Sequence, residues 1–262
     1  MREMMILVVS LLLSQGCGGA RVSQSPATLR NIVSASLDST VYIDVLFADG
    51  TRNFASGVVI ARDRIATCEH ILRVEGETRP VAAIRVGIDR VFLSSDSVVP
   101  VVALVDKVDP LLDLLILRTE GLQAPPVAPN QVNDPRLTEV FVVGHPATEV
   151  KGNAAPGLTI TTGFVIRAYE IAFRGSPPQK VLRASGRVSF GNSGGAVFAR
   201  DDGTLVGIVK ETENPVADNV PLVRSLEQRE PLNAAVLKAV IKYYPSDAFE
   251  IIPVDTIVAF SR

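Results

Sequence analysis

The stretch Ser189-Phe190-Gly191-Asn192-Ser193-Gly194-Gly195 decides how this chain is read. Three glycines surround one serine and run into the apolar Ala196-Val197-Phe198, the composition of a tight loop entering a strand. Glycine accepts positive φ and lets other groups approach the main chain closely. The group such a loop brings into the open is the hydroxyl of Ser193, with the amides of Gly191 and Ser193 able to converge beside it. A hydroxyl nucleophile next to two N–H donors suits acyl transfer, because the tetrahedral intermediate carries its charge on an oxygen at that spot. A glycine-rich hairpin with an incidental serine fits the seven residues equally well, so the rest of the chain has to decide.

The same letters fit the G-x-S-x-G elbow of α/β-hydrolases, a fold whose histidine follows the serine. This chain has two histidines, His70 and His145, and both precede Ser193. The order His, Asp, Ser is that of chymotrypsin-like enzymes. His70 lies in Ile65-Ala66-Thr67-Cys68-Glu69-His70-Ile71-Leu72, a short apolar strand breaking into a turn. That segment resembles the T-A-A-H motif of trypsin-like proteases, with Cys68 and Glu69 where the family has small residues. Asp113 stands among leucines in Leu111-Leu112-Asp113-Leu114-Leu115-Ile116-Leu117. A buried, unpaired carboxylate is expensive, so a partner should await it, and the imidazole N–H of His70 is the obvious one. Asp106 and Asp109 lie in a more polar segment ended by Pro110 and are weaker candidates for that place.

Together the three motifs are identified as those of the trypsin/chymotrypsin-like serine protease family. The pattern is closest to bacterial HtrA/Deg-type domains, with a Ser-Gly pair at Ser56-Gly57 before an aliphatic strand and Gly144-His145-Pro146 resembling that group's G-x-P turn. The resemblance covers roughly residues 40–221. It implies an all-β fold of two six-stranded antiparallel Greek-key barrels. It also implies a serine endopeptidase acting on protein or peptide substrates: His70, Asp113 and Ser193 are catalytic, Gly191 and Ser193 supply the oxyanion hole, and no cofactor is required. His145 is expected to be structural. Substrate-binding positions implied are Arg187 and Ser189 before the loop and Val209 in the strand Gly207-Ile208-Val209. An inward Arg187 favours cleavage after acidic residues. An outward one leaves a pocket of valine and serine for small aliphatic side chains. Two alternatives stay open, an inactive protease-like binding or scaffold protein and an esterase built on the same machinery.

The chain of 262 residues carries a net charge of −2 and no tryptophan, which leaves no basic, aromatic-interleaved surface for nucleic acid. Two cysteines and two histidines provide no cluster with metal-ligand spacing. At the N-terminus Arg2 precedes the apolar run Met4–Leu13 and the small, polar Ser14–Ala20. Ten helical residues rise about 15 Å, half a bilayer core, so residues 1–20 read as an export signal and not as a spanning helix. Cys17 after Gly16 resembles the lipobox of bacterial lipoproteins, which implies lipidation, a membrane link only through that anchor, and a periplasmic or membrane-anchored location. The competing reading is plain secretion with cleavage near Ala20.

A short helix is expected over Ala27–Ser36, followed by a first barrel within 38–120. Its strands are read at Val41–Phe47, Phe54–Ala61, the segment before His70, Val81–Ile88, Val98–Val105 and Leu114–Leu117. Residues 121–134, with three prolines and no periodicity, read as a linker. A second barrel is expected over 135–225, with strands at Glu139–Val143, Leu158–Ile166, Lys180–Ala184, Ala196–Ala199 and Leu205–Val209. Residues 226–262 read as a C-terminal helix and tail, because Leu232, Ala235, Val236, Ala239, Val240 and Tyr243 recur at helical spacing behind Pro231. Too few residues follow Pro245 for a PDZ domain. Phe249–Val258 has strand character and no assigned place.

Overall fold

Alternating apolar side chains set the first strand. In β1 (Thr40–Phe47) Val41, Ile43, Val45 and Phe47 are buried, and the intervening residues face the opposite side. The computed structural model describes residues 26–74, 77–88, 101–130, 135–150, 153–172, 177–212 and 246–262. Helix α1 (Pro26–Asp38) leads into β1, and Ile32, Val33 and Leu37 pack on the core. Then come β2 (Arg52–Ala61), β3 (Arg64–Cys68), a 3-10 turn (Glu69–Leu72), β4 (Val81–Gly87), β5 (Val101–Asp109) and β6 (Leu114–Thr119). They close an antiparallel barrel in the order β1-β2-β3-β6-β5-β4.

The second barrel is built from β7 (Glu139–Gly144), β8 (Thr159–Ile171), β9 (Gln179–Val188), β10 (Ala196–Ala199), β11 (Leu205–Thr212) and β12 (Ser246–Pro253). Its order, β8-β9-β12-β11-β10-β7, repeats that of the first. Strands β7 and β10 are apolar on both faces for a reason. Val140, Val142, Val197 and Ala199 fill the second barrel, whereas Phe141, Val143, Ala196 and Phe198 join a core shared with the first. Phe141 and Phe198 stack across that seam with ring centroids 5.3 Å apart. Continuous apolar runs are what strands covered on both sides require.

Three expectations change. The second barrel does not end near residue 225, because its sixth strand is β12, drawn from the tail that had no place. Phe249 and Ile251 point into its core while Glu250 turns outward to Lys210, with Nζ to Oε2 at 3.2 Å. The tail is also not strand throughout: Pro253 opens helix α2 (Val254–Ser261), which buries Val254 and Ile257 one turn apart. Strand β8 runs five residues further than expected and forms a long ribbon with β9. The helix expected behind Pro231, like residues 1–25 with Cys17, lies outside the described residues. Among the described residues no helix is long and apolar enough to cross a membrane.

The segment between the barrels is tied to both. Val127 N–H donates to Val59 O at 2.9 Å in the first, and Leu205 N–H to Ala128 O at 2.8 Å from the second. Helix α2 returns from the second barrel to the first, where Arg64 Nη1 donates to Ser261 O at 2.6 Å and Lys107 Nζ to Phe260 O at 3.0 Å. Cations at the C-terminal carbonyls of a helix are electrostatically favoured.

Candidate active site

Each barrel contributes one side of a cleft at the seam. From the first, β3 breaks after Cys68 into the 3-10 turn that carries His70. Asp113 ends the turn before β6, so it is not enclosed within a strand as its leucine neighbours suggested. Its φ of 56° is left-handed, a conformation that aspartate tolerates better than most residues. Asp109 builds that turn, its Oδ1 accepting from the amides of Leu111 and Leu112 at 2.9 and 3.1 Å. Asp106 instead pairs with Arg64 at 3.5 Å. Both are thereby accounted for away from His70.

The carboxylate of Asp113 grips His70 twice. Oδ1 accepts from the His70 backbone N–H at 2.9 Å, and Oδ2 lies 2.8 Å from Nδ1. Such a grip fixes the ring plane and leaves Nε2 directed outward. Nε2 lies 2.8 Å from Ser193 Oγ, which arrives from the second barrel. The three residues picked from sequence therefore form one hydrogen-bonded chain across the seam. A chain of this kind can take a proton from the hydroxyl and balance the resulting imidazolium.

The loop owes its shape to close packing. The Asn192 N–H donates to Ser189 O at 3.0 Å, closing a turn whose third residue, Gly191, has φ 95°. A type II turn needs that positive φ. A Cβ on Gly194 would collide with Ser56 O and Thr67 Oγ1 of the first barrel. Gly194 N–H donates to Val209 O and Val209 N–H to Gly195 O, both at 2.8 Å, while Ser56 N–H donates to Ser193 O at 2.9 Å. Among the described residues the amides of Gly191 and Ser193 donate to no protein group. Asn192 is buried over Gly144, with Oδ1 accepting from Thr159 Oγ1 at 3.3 Å and Nδ2 3.4 Å from Ser189 Oγ.

The expected substrate positions fare differently. Arg187 is exposed on β9, and Ser189 is half-buried with its hydroxyl turned to Asn192. Val209 is a correction. Its side chain lies in the second core and both its backbone groups hold the loop, so it has nothing to offer a ligand. His145 is buried with its ring edge-on to Tyr42, 6.2 Å between centroids. Cys68 is a free, buried thiol, so no disulfide joins it. Its Sγ donates to Val209 O at 3.1 Å, and it lies with His70 and Asp113 in a group whose ligand-type atoms fall within 4.8 Å of one another. Those atoms are the ones that could hold a metal ion, and each is spent on a hydrogen bond. Thr67, Gly144 and Ser56 appear in the sequence as letters of the family's motifs, but nothing in those motifs assigns them the contacts with the loop that they make here. Ser56 alone also stands out chemically, as a polar residue inside the apolar run of β2.

The family model described as a trypsin-like peptidase domain matches residues 55–208. The chain is similar in structure to the Rv3671c protease from M. tuberculosis in its active form, with TM-score 0.60 and 20% identity over 91% of this chain and 86% of that one. It is similar to the HtrA-type protease AlgW with tripeptide at TM-score 0.61 and 16% identity, covering 88% of this chain and 61% of that one. The serine endoprotease from Yersinia pestis aligns at TM-score 0.58 and 18% identity, over 90% of this chain and 66% of that one. No curated protein matches the chain.

Proposed function

Because this chain belongs to the trypsin-like peptidase family, we propose that it is a serine endopeptidase hydrolysing protein or peptide substrates through an acyl-enzyme. Ser193 Oγ attacks the scissile carbonyl, and His70 Nε2 takes its proton and returns it to the leaving amine. Asp113 orients the ring and balances its positive charge. The Gly191 and Ser193 amides hold the oxyanion. The observation that carries this reading is the unbroken chain Asp113–His70–Ser193, with both links at 2.8 Å. Water then hydrolyses the acyl group by the same proton path, and the chemistry requires no added cofactor.

The exposed Arg187 favours the outward alternative and therefore small aliphatic side chains at the cleaved bond. The proposed setting is outside the cytoplasm, with residues 1–20 as the export signal and Cys17 as a lipid carrier. The deciding experiment is labelling with a fluorophosphonate. Wild type should take up one label on Ser193, and Ser193→Ala should take up none. A folded wild-type protein that stays unlabelled and cleaves nothing would make the chain a binding or scaffold protein. Ester turnover without peptide cleavage would make it an esterase.

A further inference from the structure

A serine in the middle of a buried strand needs a reason, since an unpaired hydroxyl in an apolar core is costly. Ser56 sits on β2 of the first barrel, opposite Tyr42 of β1, and is 0% exposed. All of its polar groups are engaged. Its Oγ donates to Gly191 O at 2.8 Å and accepts from the His145 N–H at 2.7 Å. Its amide donates to Ser193 O at 2.9 Å, and its carbonyl accepts from Thr67 Oγ1 at 2.7 Å. Three of these four bonds cross from the first barrel to the second.

We infer that the Ser56 hydroxyl is a positioning residue that registers the nucleophile loop against the barrel carrying His70. The inference rests on the serine-peptidase reading. The two carbonyls held by Ser56, those of Gly191 and Ser193, bracket the segment that carries the nucleophile and its amide, and the first of them belongs to the residue that supplies the other free amide. The strand that holds them continues through a two-residue turn into β3 and then His70, so hydroxyl, imidazole and donors share one rigid reference. The amide of Ser56 would make its bond whatever the side chain. Only the hydroxyl reaches Gly191, and the His145 N–H brought to the same oxygen ties in the turn after β7. Misplacing reacting groups by about 1 Å can cost roughly a hundredfold in rate, so a loop held at one point in place of two should lose turnover before it loses substrate binding.

The test compares Ser56→Ala and Ser56→Thr with wild type and with Ile84→Val, a change inside the first barrel away from the cleft. Melting temperature, kcat and KM on a peptide substrate, the fluorophosphonate labelling rate and the affinity for a peptide boronate are measured for each. Ser56→Ala should fold and lose about 10- to 100-fold in kcat, with KM within about threefold. Labelling rate and boronate affinity should fall alongside kcat. Ser56→Thr, which keeps the hydroxyl, should recover most of the loss. A folded Ser56→Ala with wild-type kcat overturns the inference. So does a loss matched by Ile84→Val at equal melting temperature, or a folded Ser56→Thr no faster than Ser56→Ala. If wild type itself resists labelling, the proposed function fails first, and that outcome is read before any variant.

Discussion

The two barrels repeat one strand order but are closed in different ways. The first takes six strands from one nearly continuous run, Thr40–Thr119, with short turns between most of them. The second gathers five strands by Thr212 and closes only with β12, Ser246–Pro253, far along the chain. Their contributions to the cleft differ as well. The first offers side chains on two turns, His70 after β3 and Asp113 before β6. The second offers a loop whose backbone does as much as its side chain. A histidine and an aspartate need only be aimed, and the short turns of a locally closed barrel aim them. A serine beside two free amides has to be held from both sides: β11 of its own barrel fixes Gly194 and Gly195, and β2 and β3 of the other barrel bond Ser193 and pack against Gly194.

The sharpest way to break this comparison is to alter only the first barrel and read the second. Asp113→Asn should leave the fold intact and lower kcat by roughly 10⁴-fold, because the amide presents the wrong partner to His70 Nδ1. A steady-state assay checks it, and a loss under tenfold would mean that another group orients the imidazole.

The next effect asks whether the barrels melt separately. Phe249→Ala empties a buried ring in β12 at a cost of about 3–5 kcal/mol, and Ile43→Ala does the same in β1 at about 2–5 kcal/mol. Because one core runs across the seam, both should lower a single calorimetric transition. Two transitions, each sensitive to one variant only, would show the barrels to be independent. Gly194→Ala strikes the seam itself. Its φ of 77° and the collision with Ser56 and Thr67 should cost roughly 3 kcal/mol, with activity lost alongside stability in melting and turnover measurements. An active, equally stable Gly194→Ala would mean that the loop does not need this close approach.

The smallest effect lies at the β1–β2 turn, far from the cleft. The Thr51 hydroxyl and amide, with a lesser part from Arg79, hold the Asp49 carboxyl below its usual range. A lowered carboxyl contributes its stability above the ordinary carboxylate range and loses it as pH falls through the lowered value. Asp49→Asn should therefore slightly narrow the difference in melting temperature between pH 6 and pH 3 and leave turnover unchanged. A larger acid sensitivity in the variant would reverse the sign and reject the turn's role.

Much of this protein was written in local pattern. Alternation in Val41–Phe47, the Thr67–His70 segment and the glycines around Ser193 each report a strand or turn within a few residues, because period-two burial and positive φ are local demands. That is why His70, Asp113 and Ser193 could be chosen before any fold was seen. The sequence by itself thus determined the all-β class, most of the strands and the three side chains. Tertiary structure alone decided the rest. Phe249–Pro253 is the closing strand because its partners β9 and β11 stand ready for it, something no window around residue 250 contains. Val209 looked like a wall of the cleft and proved to be core, since both of its backbone groups are claimed by Gly194 and Gly195. Ser56 reads as one polar residue in an apolar strand until the loop from the other barrel descends on it. Its hydroxyl bonds reach 135 residues along the chain to Gly191 and 89 to His145, and separations of that length leave no periodic trace in sequence.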